Sequence, residues 1–180
     1  MTLGRLGVWY STDKLNAAQL ADFMKAIEKN GYSAFWHPES RGYEAMALGA
    51  YLLSKTEKLT IGSSIANIYA RDPFTARRAM ISLNEFSGGR YILGLGVSHI
   101  PMVEGLRGHK YDKPLGAMSR YLDAIHQDAP ADAPIVVAAL GPKMLELSAK
   151  SSMGAVPYNV TPAHTAQAAK ILGKGKVLAV

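Results

Sequence analysis

Short apolar runs alternate with amphipathic stretches along the whole chain, and the hydrophobic period changes at each step. Leu6 to Tyr10 reads as a strand, and Leu15 to Lys29 as a helix with Leu20, Phe23, Met24 and Ile27 on one face. Asn30-Gly31 stops that helix. Ser33 to His37 is a second strand, followed by a helix from about Tyr43 to Ser54. Leu59 to Ser64 is short, apolar and partly β-branched, and the polar and aromatic loop Ile65 to Asp72 follows it. Asp72-Pro73 supplies an N-cap and a proline at the first helical position. Phe74, Arg77, Arg78, Ile81 and Glu85 then recur on a helical period until Ser87-Gly88-Gly89 ends it. Tyr91 to Leu95 is the fourth strand.

The second half keeps the same rhythm. A long polar connection, Ser98 to Lys113, leads to a helix from about Leu115 to His126. A Pro/Ala linker, Ala129 to Pro134, precedes a strand at Ile135 to Ala139. Pro142 opens a helix that runs to about Lys150, and Ala155 to Tyr158 is the sixth strand. Thr161-Pro162 caps a helix ending near Gly173, and Val177 to Val180 is the seventh strand. Apolar strands alternating with amphipathic helices predict one domain over residues 1–180, a parallel sheet covered by helices. A doubly wound sheet and a (β/α)8 barrel both satisfy that pattern. In either, ligands gather at the C-terminal ends of the strands.

Composition narrows the function classes. The 180 residues are 48% hydrophobic and 19% charged, and they contain no cysteine. Disulfides, thiolate nucleophiles and cysteine-metal sites are thereby excluded. The five histidines, His37, His99, His109, His126 and His164, lack metal-ligand spacing, and His126 and His164 read as solvated helix residues. No apolar run approaches the ~18 residues of a membrane span, and the N-terminus has no leader-like apolar core. A cytoplasmic location is expected. The net charge of +6 is spread along the chain without a nucleic-acid motif. It suits solubility, or an acidic small-molecule ligand drawn in by the positive field.

Several segments carry candidate chemistry, each beside a plainer alternative. Gly94-Leu95-Gly96 is not a dinucleotide fingerprint, because the third glycine and the following helix are missing. Either the glycines allow close backbone packing, or Gly96, Val97 and Ser98 let a flat ring approach the strand end, with His99 just beyond. Leu140-Gly141-Pro142-Lys143-Met144 opens a helix, so the amides of Lys143 and Met144 together with the lysine charge suit an anion. An ordinary βα turn looks the same. Trp9, Tyr10, Trp36 and Tyr158 lie at or near strand ends, where they build either core or a flat apolar slot. His37 and Glu39 are the acid/base candidates after the second strand. The loop with His109, Lys110, Tyr111 and Asp112 is an active-site lid or an ordered insertion.

The phrases IGSSIANIYARDP, SGGRYILGLGVSH, VEGLRGHKYDKPL, AALGPKMLELSAK and VPYNVTPAHT resemble, in order, the luciferase-like monooxygenases, and within them the branch dependent on the deazaflavin coenzyme F420. The resemblance runs from about Leu6 to Gly173. It implies an α/β TIM-type (β/α)8 barrel, here incomplete at about six and a half βα units and lacking the last one to two. It implies a non-proline cis peptide at Ser64-Ile65, in a bulge that with Asn67 backs the cofactor ring. It also implies that the Gly141 to Met144 loop holds the cofactor phosphate. The expected activity is hydride transfer between F420 and a small organic substrate, with His37, Glu39 and His99 as catalytic candidates. Ser64, Ile65, Asn67, Gly96, Val97, Ser98, Gly141, Pro142, Lys143, Met144 and Tyr158 are the cofactor candidates. One alternative is an FMN-dependent monooxygenase of the same fold. Another is a truncated, non-catalytic barrel that persists as an oligomer. Unpaired strands at the open side lead us to expect a homodimer or larger, with neither nucleic acid nor membrane as partner.

Overall fold

The computed structural model describes residues 3–130 and 132–180. Met1, Thr2 and Ala131, the last within the linker read at 129–134, lie outside the described residues. The chain divides into two compact units, Met1–Ala66 with Arg78–Leu93, and Asn67–Arg77 with Gly94–Val180.

The first unit holds β1 (Gly7–Trp9), α1 (Ala17–Lys29), β2 (Ala34–His37), α2 (Ala45–Ser54) and β3 (Thr60–Ser63), and the beginning of β5 (Tyr91–Gly96). α1 begins with a capping box: Asn16 accepts from the Gln19 amide and Gln19 accepts from the Asn16 amide, each at 3.0 Å. Leu20, Met24 and Ile27 bury its inner face, as the periodicity predicts. Phe23 makes edge-on ring contacts with Tyr10 and Phe35 instead. β1 pairs with β2, β2 with β3 and β3 with Tyr91 and Ile92 of β5, all parallel. Trp36 belongs to the core rather than to a rim slot. Its indole occupies the space beside Gly62, where a Cβ would stand 2.4 Å from the ring.

Glu28, at the end of α1, fixes the chain entering β3. Its carboxylate accepts from the amides of Lys58 at 2.6 Å, Leu59 at 2.8 Å and Glu57 at 3.1 Å. Partial burial alone would raise its pKa, but the three amides and Arg90 outweigh that and hold it below the usual carboxylate range. Its contribution is therefore full above the unfolded value and lost as pH falls through the lower folded one. Glu28→Gln should cost about 1–2 kcal/mol near neutrality, the scale of charge-assisted bonds at a half-exposed site. Urea unfolding at pH 7 and pH 3 checks this, and an equal loss at both would refute it.

The second unit holds β4 (Ala66–Asn67) from Asn67 on, the start of α3 (Pro73–Ser87), and the end of β5 (Tyr91–Gly96). α4 (Pro114–His126), β6 (Ile135–Val137), α5 (Pro142–Ser151), β7 (Gly154–Ala155), α6 (Pro162–Leu172) and β8 (Val177–Leu178) follow. α3 to α6 each open with proline, whose missing N–H is of no consequence in the first turn. Asp72 caps α3 by accepting from the Thr75 hydroxyl and amide, bonds that hold its carboxyl below the usual range. Arg77, only 7% exposed, lies over the Phe74 ring, donates to the carbonyls of Ala124 and Ile125, and pairs with Asp128 at 3.1 Å. The Ala138 amide joins β6 to β5 through the Leu95 carbonyl at 2.8 Å. β7 pairs in parallel with β6 and with β8. Ala139, Leu145, Ala155, Ala168 and Leu172 form the core there.

Apart from the two-residue β4, the strands in each unit follow chain order without reversal. That is the order of a (β/α)8-type fold, and a doubly wound sheet would reverse direction at a switch point. The fold is thus an incomplete (β/α)8-type α/β fold with parallel strands. Three details depart from the sequence reading. β4 is an extra strand. The long connection contains a π-helical turn at Pro101–Gly105. The buried positions of α3 are Ala76, Arg77, Met80 and Leu83, while Phe74, Arg78 and Glu85 are exposed.

Candidate active site

In the first unit the C-terminal ends of β1, β2 and β3 bring together several of the expected residues. The Ser64 amide donates to the His37 carbonyl at 2.7 Å, and the Glu39 amide donates to the Ile65 carbonyl at 3.3 Å. The Trp9 indole N–H donates to the Ser64 carbonyl at 3.4 Å. The Ser64-Ile65 bond is cis. Glu39 also accepts from the Ala45 amide at the start of α2. Trp9 and Tyr10 are 40% and 44% exposed, so they present open aromatic surface here.

His37 is wholly buried, and neither ring nitrogen has a hydrogen-bond partner. Burial drives its pKa down to about 4, against the opposing influence of the Pro38 backbone and the Glu44 carboxylate. The ring is neutral near pH 7, with one N–H and one lone pair unspent. A buried polar group in that state calls for an explanation, and a ligand is one. Thr12 is equally buried with its Oγ1 unpaired. Sequence reasoning missed Thr12, and nothing in its local pattern signals it.

In the second unit Asn67 is buried, and its Oδ1 accepts from the Tyr69 amide at 2.9 Å. The Ile68 amide donates to the Gly96 carbonyl at 3.0 Å, which ties the segment after β4 to the end of β5. Ser98 has a left-handed backbone with φ +56°. Its carbonyl accepts from the Tyr111 hydroxyl at 3.4 Å. His99 is exposed at the entrance to the π-helical turn. Tyr158 is 61% exposed after β7.

The start of α5 has the chemistry of an anion site, with one correction. Gly141 is its N-cap and no side chain caps it. Pro142 has no N–H. The Met144 amide is not free: it donates to the Gly141 carbonyl at 3.1 Å, because the first turn closes tightly. That leaves the Lys143 amide and ammonium as the donors. A Cβ at Gly141 would meet nothing within 4 Å, so the approach is open. His164 is not a solvated helix residue. It is half-buried, and its Nε2 bonds the Leu140 carbonyl at 2.8 Å, next to this turn. His126 is exposed and bonds the Ser151 carbonyl. Among the described residues, no three metal-ligating side chains cluster and no helix is long and apolar enough to cross a membrane.

The model of the luciferase-like monooxygenase family matches residues 1–128. The chain belongs to that family. Among curated relatives of this luciferase-like member, a provisionally named coenzyme F420-dependent oxidoreductase of Mycobacterium tuberculosis is 34% identical over 139 residues. The match covers 77% of this chain and 39% of that protein. The 5,10-methylenetetrahydromethanopterin reductase of Archaeoglobus fulgidus is 28% identical, over 76% of this chain and 48% of its own. The luciferase-like chain therefore spans less than half the length of these relatives. The coenzyme F420 dependent tetrahydromethanopterin reductase from Methanopyrus kandleri shares the fold, with a TM-score of 0.80 at 20% identity over 97% of this chain and 61% of that one.

Proposed function

We propose that this chain carries the cofactor-binding part of an oxidoreductase that moves a hydride between coenzyme F420 and a small organic substrate. The observation that carries the reading is His37: a wholly buried, neutral imidazole with both nitrogens unspent, at the end of β2 beside the Ser64-Ile65 bend. The names of the relatives above support F420 over FMN. When bound, the deazaflavin ring supplies the hydride chemistry.

The chain's own residues have the remaining tasks. Within the first unit Trp9, Ser64 and Ile65 offer lining for a flat ring, and within the second unit Asn67 and Gly96 to Ser98 do. The Lys143 amide and ammonium would hold the phosphate at the α5 N-terminus. The neutral His37 ring would orient a substrate oxygen, donating a hydrogen bond from whichever of Nδ1 and Nε2 carries the proton. Glu39, tied to the Ala45 amide, keeps the chain after β2 in place.

Fluorescence titration of the purified chain with F420 and FMN tests this. F420 should bind more tightly than FMN, and added salt should weaken it. Lys143→Ala should weaken F420 binding by roughly 1–3 kcal/mol with little change in stability. Tighter binding of FMN favours a monooxygenase. Binding of neither, together with a stable oligomer by sedimentation, favours a non-catalytic chain.

A further inference from the structure

The loop after β5 has features that the cofactor reading leaves unused. Tyr69, just after β4, has its ring 6.2 Å from the His109 ring and 6.2 Å from the Tyr111 ring, tilted by 38° and 37°. The spacing lies within the range of interacting aromatic pairs. The backbone that carries each ring is held in place. The Tyr69 amide is held by Asn67, the His109 amide by the Val103 carbonyl at 3.1 Å, and the Tyr111 amide by the Glu104 carboxylate at 3.0 Å. The Tyr111 hydroxyl reaches the Ser98 carbonyl, which places the group at the same strand end as Gly96. Tyr69 and Tyr111 are half-buried and His109 is exposed.

The same loop carries a charge without a full set of partners. Arg107 is half-buried, and its Nε is sealed from solvent with no hydrogen-bond partner. Withdrawing a guanidinium N–H from water without an acceptor is costly, and an oxyanion is the acceptor its geometry matches. The turn that carries Arg107 is set by the Gly108 amide bonded to the Glu104 carbonyl, with Gly108 at φ +68°.

We propose that Tyr69, His109, Tyr111 and Arg107 form a substrate subsite for a planar conjugated carboxylate, the rings receiving its flat face and the guanidinium its carboxylate. This rests on the cofactor reading above, since that reading places the reacting ring at the end of β5. A carboxylate on the cofactor's own tail offers Arg107 the same chemistry, and the experiment separates the two sources.

The chain is loaded with the cofactor it binds, then titrated with trans-cinnamate and with trans-cinnamamide, following the cofactor's fluorescence. Cinnamate should bind at least about tenfold more tightly than the amide, the scale of a charge-assisted bond. Arg107→Gln should erase that preference and leave amide binding unchanged. Arg107→Lys should restore part of it, and Tyr111→Leu should weaken both ligands. Circular dichroism and the melting midpoint of both Arg107 variants establish that they fold. Equal binding of the two probes by the unaltered chain, or an Arg107→Gln variant that keeps the preference, overturns the proposal and leaves the cofactor reading standing. So does an Arg107→Gln variant that binds cofactor less tightly before any probe is added, since Arg107 then serves the cofactor tail. A chain that takes up neither F420 nor FMN removes the cofactor reading, and this inference with it.

Discussion

His37→Leu should flatten the acid side of the stability profile. In the folded chain burial holds the ring's pKa at about 4, against an ordinary value of 6.5. Between those values the unfolded chain binds a proton that the folded chain refuses, so stability rises with pH across the window. It is lost as pH falls from about 6.5 to about 4. At 1.36 kcal/mol per pH unit, the full window amounts to roughly 3 kcal/mol. Leucine has no proton to take up, and it also removes two ring nitrogens that lack partners. Urea unfolding from pH 7 to pH 4.5 should show a steep dependence in the unaltered chain and a shallow one in the variant. Glu28 and Asp72 act mainly below this window, because their carboxyls titrate under the usual carboxylate values. If both proteins lose stability equally between pH 6.5 and pH 5, His37 is not the buried neutral group described.

Gly154→Ala should be the most damaging single-methyl change in the second unit. A Cβ at Gly154 would stand 1.9 Å from the Val177 carbonyl oxygen and 2.6 Å from its carbon. Both atoms are backbone, so no side chain can swing aside. Either β7 or β8 must shift, and with them the bonds from the Val177 amide to the Met153 carbonyl and from the Ala179 amide to the Ala155 carbonyl. Overpacking a core costs about 1–3 kcal/mol when side chains can adjust. A backbone clash with loss of a strand pair should reach the top of that range or exceed it. Amide hydrogen exchange at Val177 and Ala179 should speed up before global unfolding does. Unchanged protection at those two amides would mean the strands tolerate the methyl.

The alternation of elements was legible because each strand and helix repeats its period over enough residues to be read. Capping signals sharpened the boundaries: Asp72-Pro73 and Thr161-Pro162 open α3 and α6 as expected. β4 was not legible, since two residues carry no period and the pairing is set by Gly96 from a distant segment. The π-helical turn was hidden for a similar reason, as its carbonyls are matched only when the loop folds back on itself. Trp36 could have been placed in the core from Gly62, because glycine inside a strand often marks close approach. Of the site, the family motifs pointed to the Ser64-Ile65 bond, while His37 was a candidate only from its place at the end of the second strand. That both nitrogens of His37 are left without partners, or that the first turn of α5 takes up the Met144 amide, depends on tertiary packing that no local pattern encodes.

The prolines that open α3 to α6 also set the tempo of folding. The cis bond among the described residues is Ser64-Ile65, so the bonds preceding these four prolines are trans. An unfolded chain holds each X–Pro bond in the cis form about 10–30% of the time. With nine prolines in the chain, most unfolded molecules carry at least one wrong isomer by that measure. Each such molecule has a helix start or a turn that cannot form until its bond rotates, on a scale of tens of seconds. Covalent rigidity that fixes where four helices begin thus makes this chain a slow, isomerase-sensitive folder.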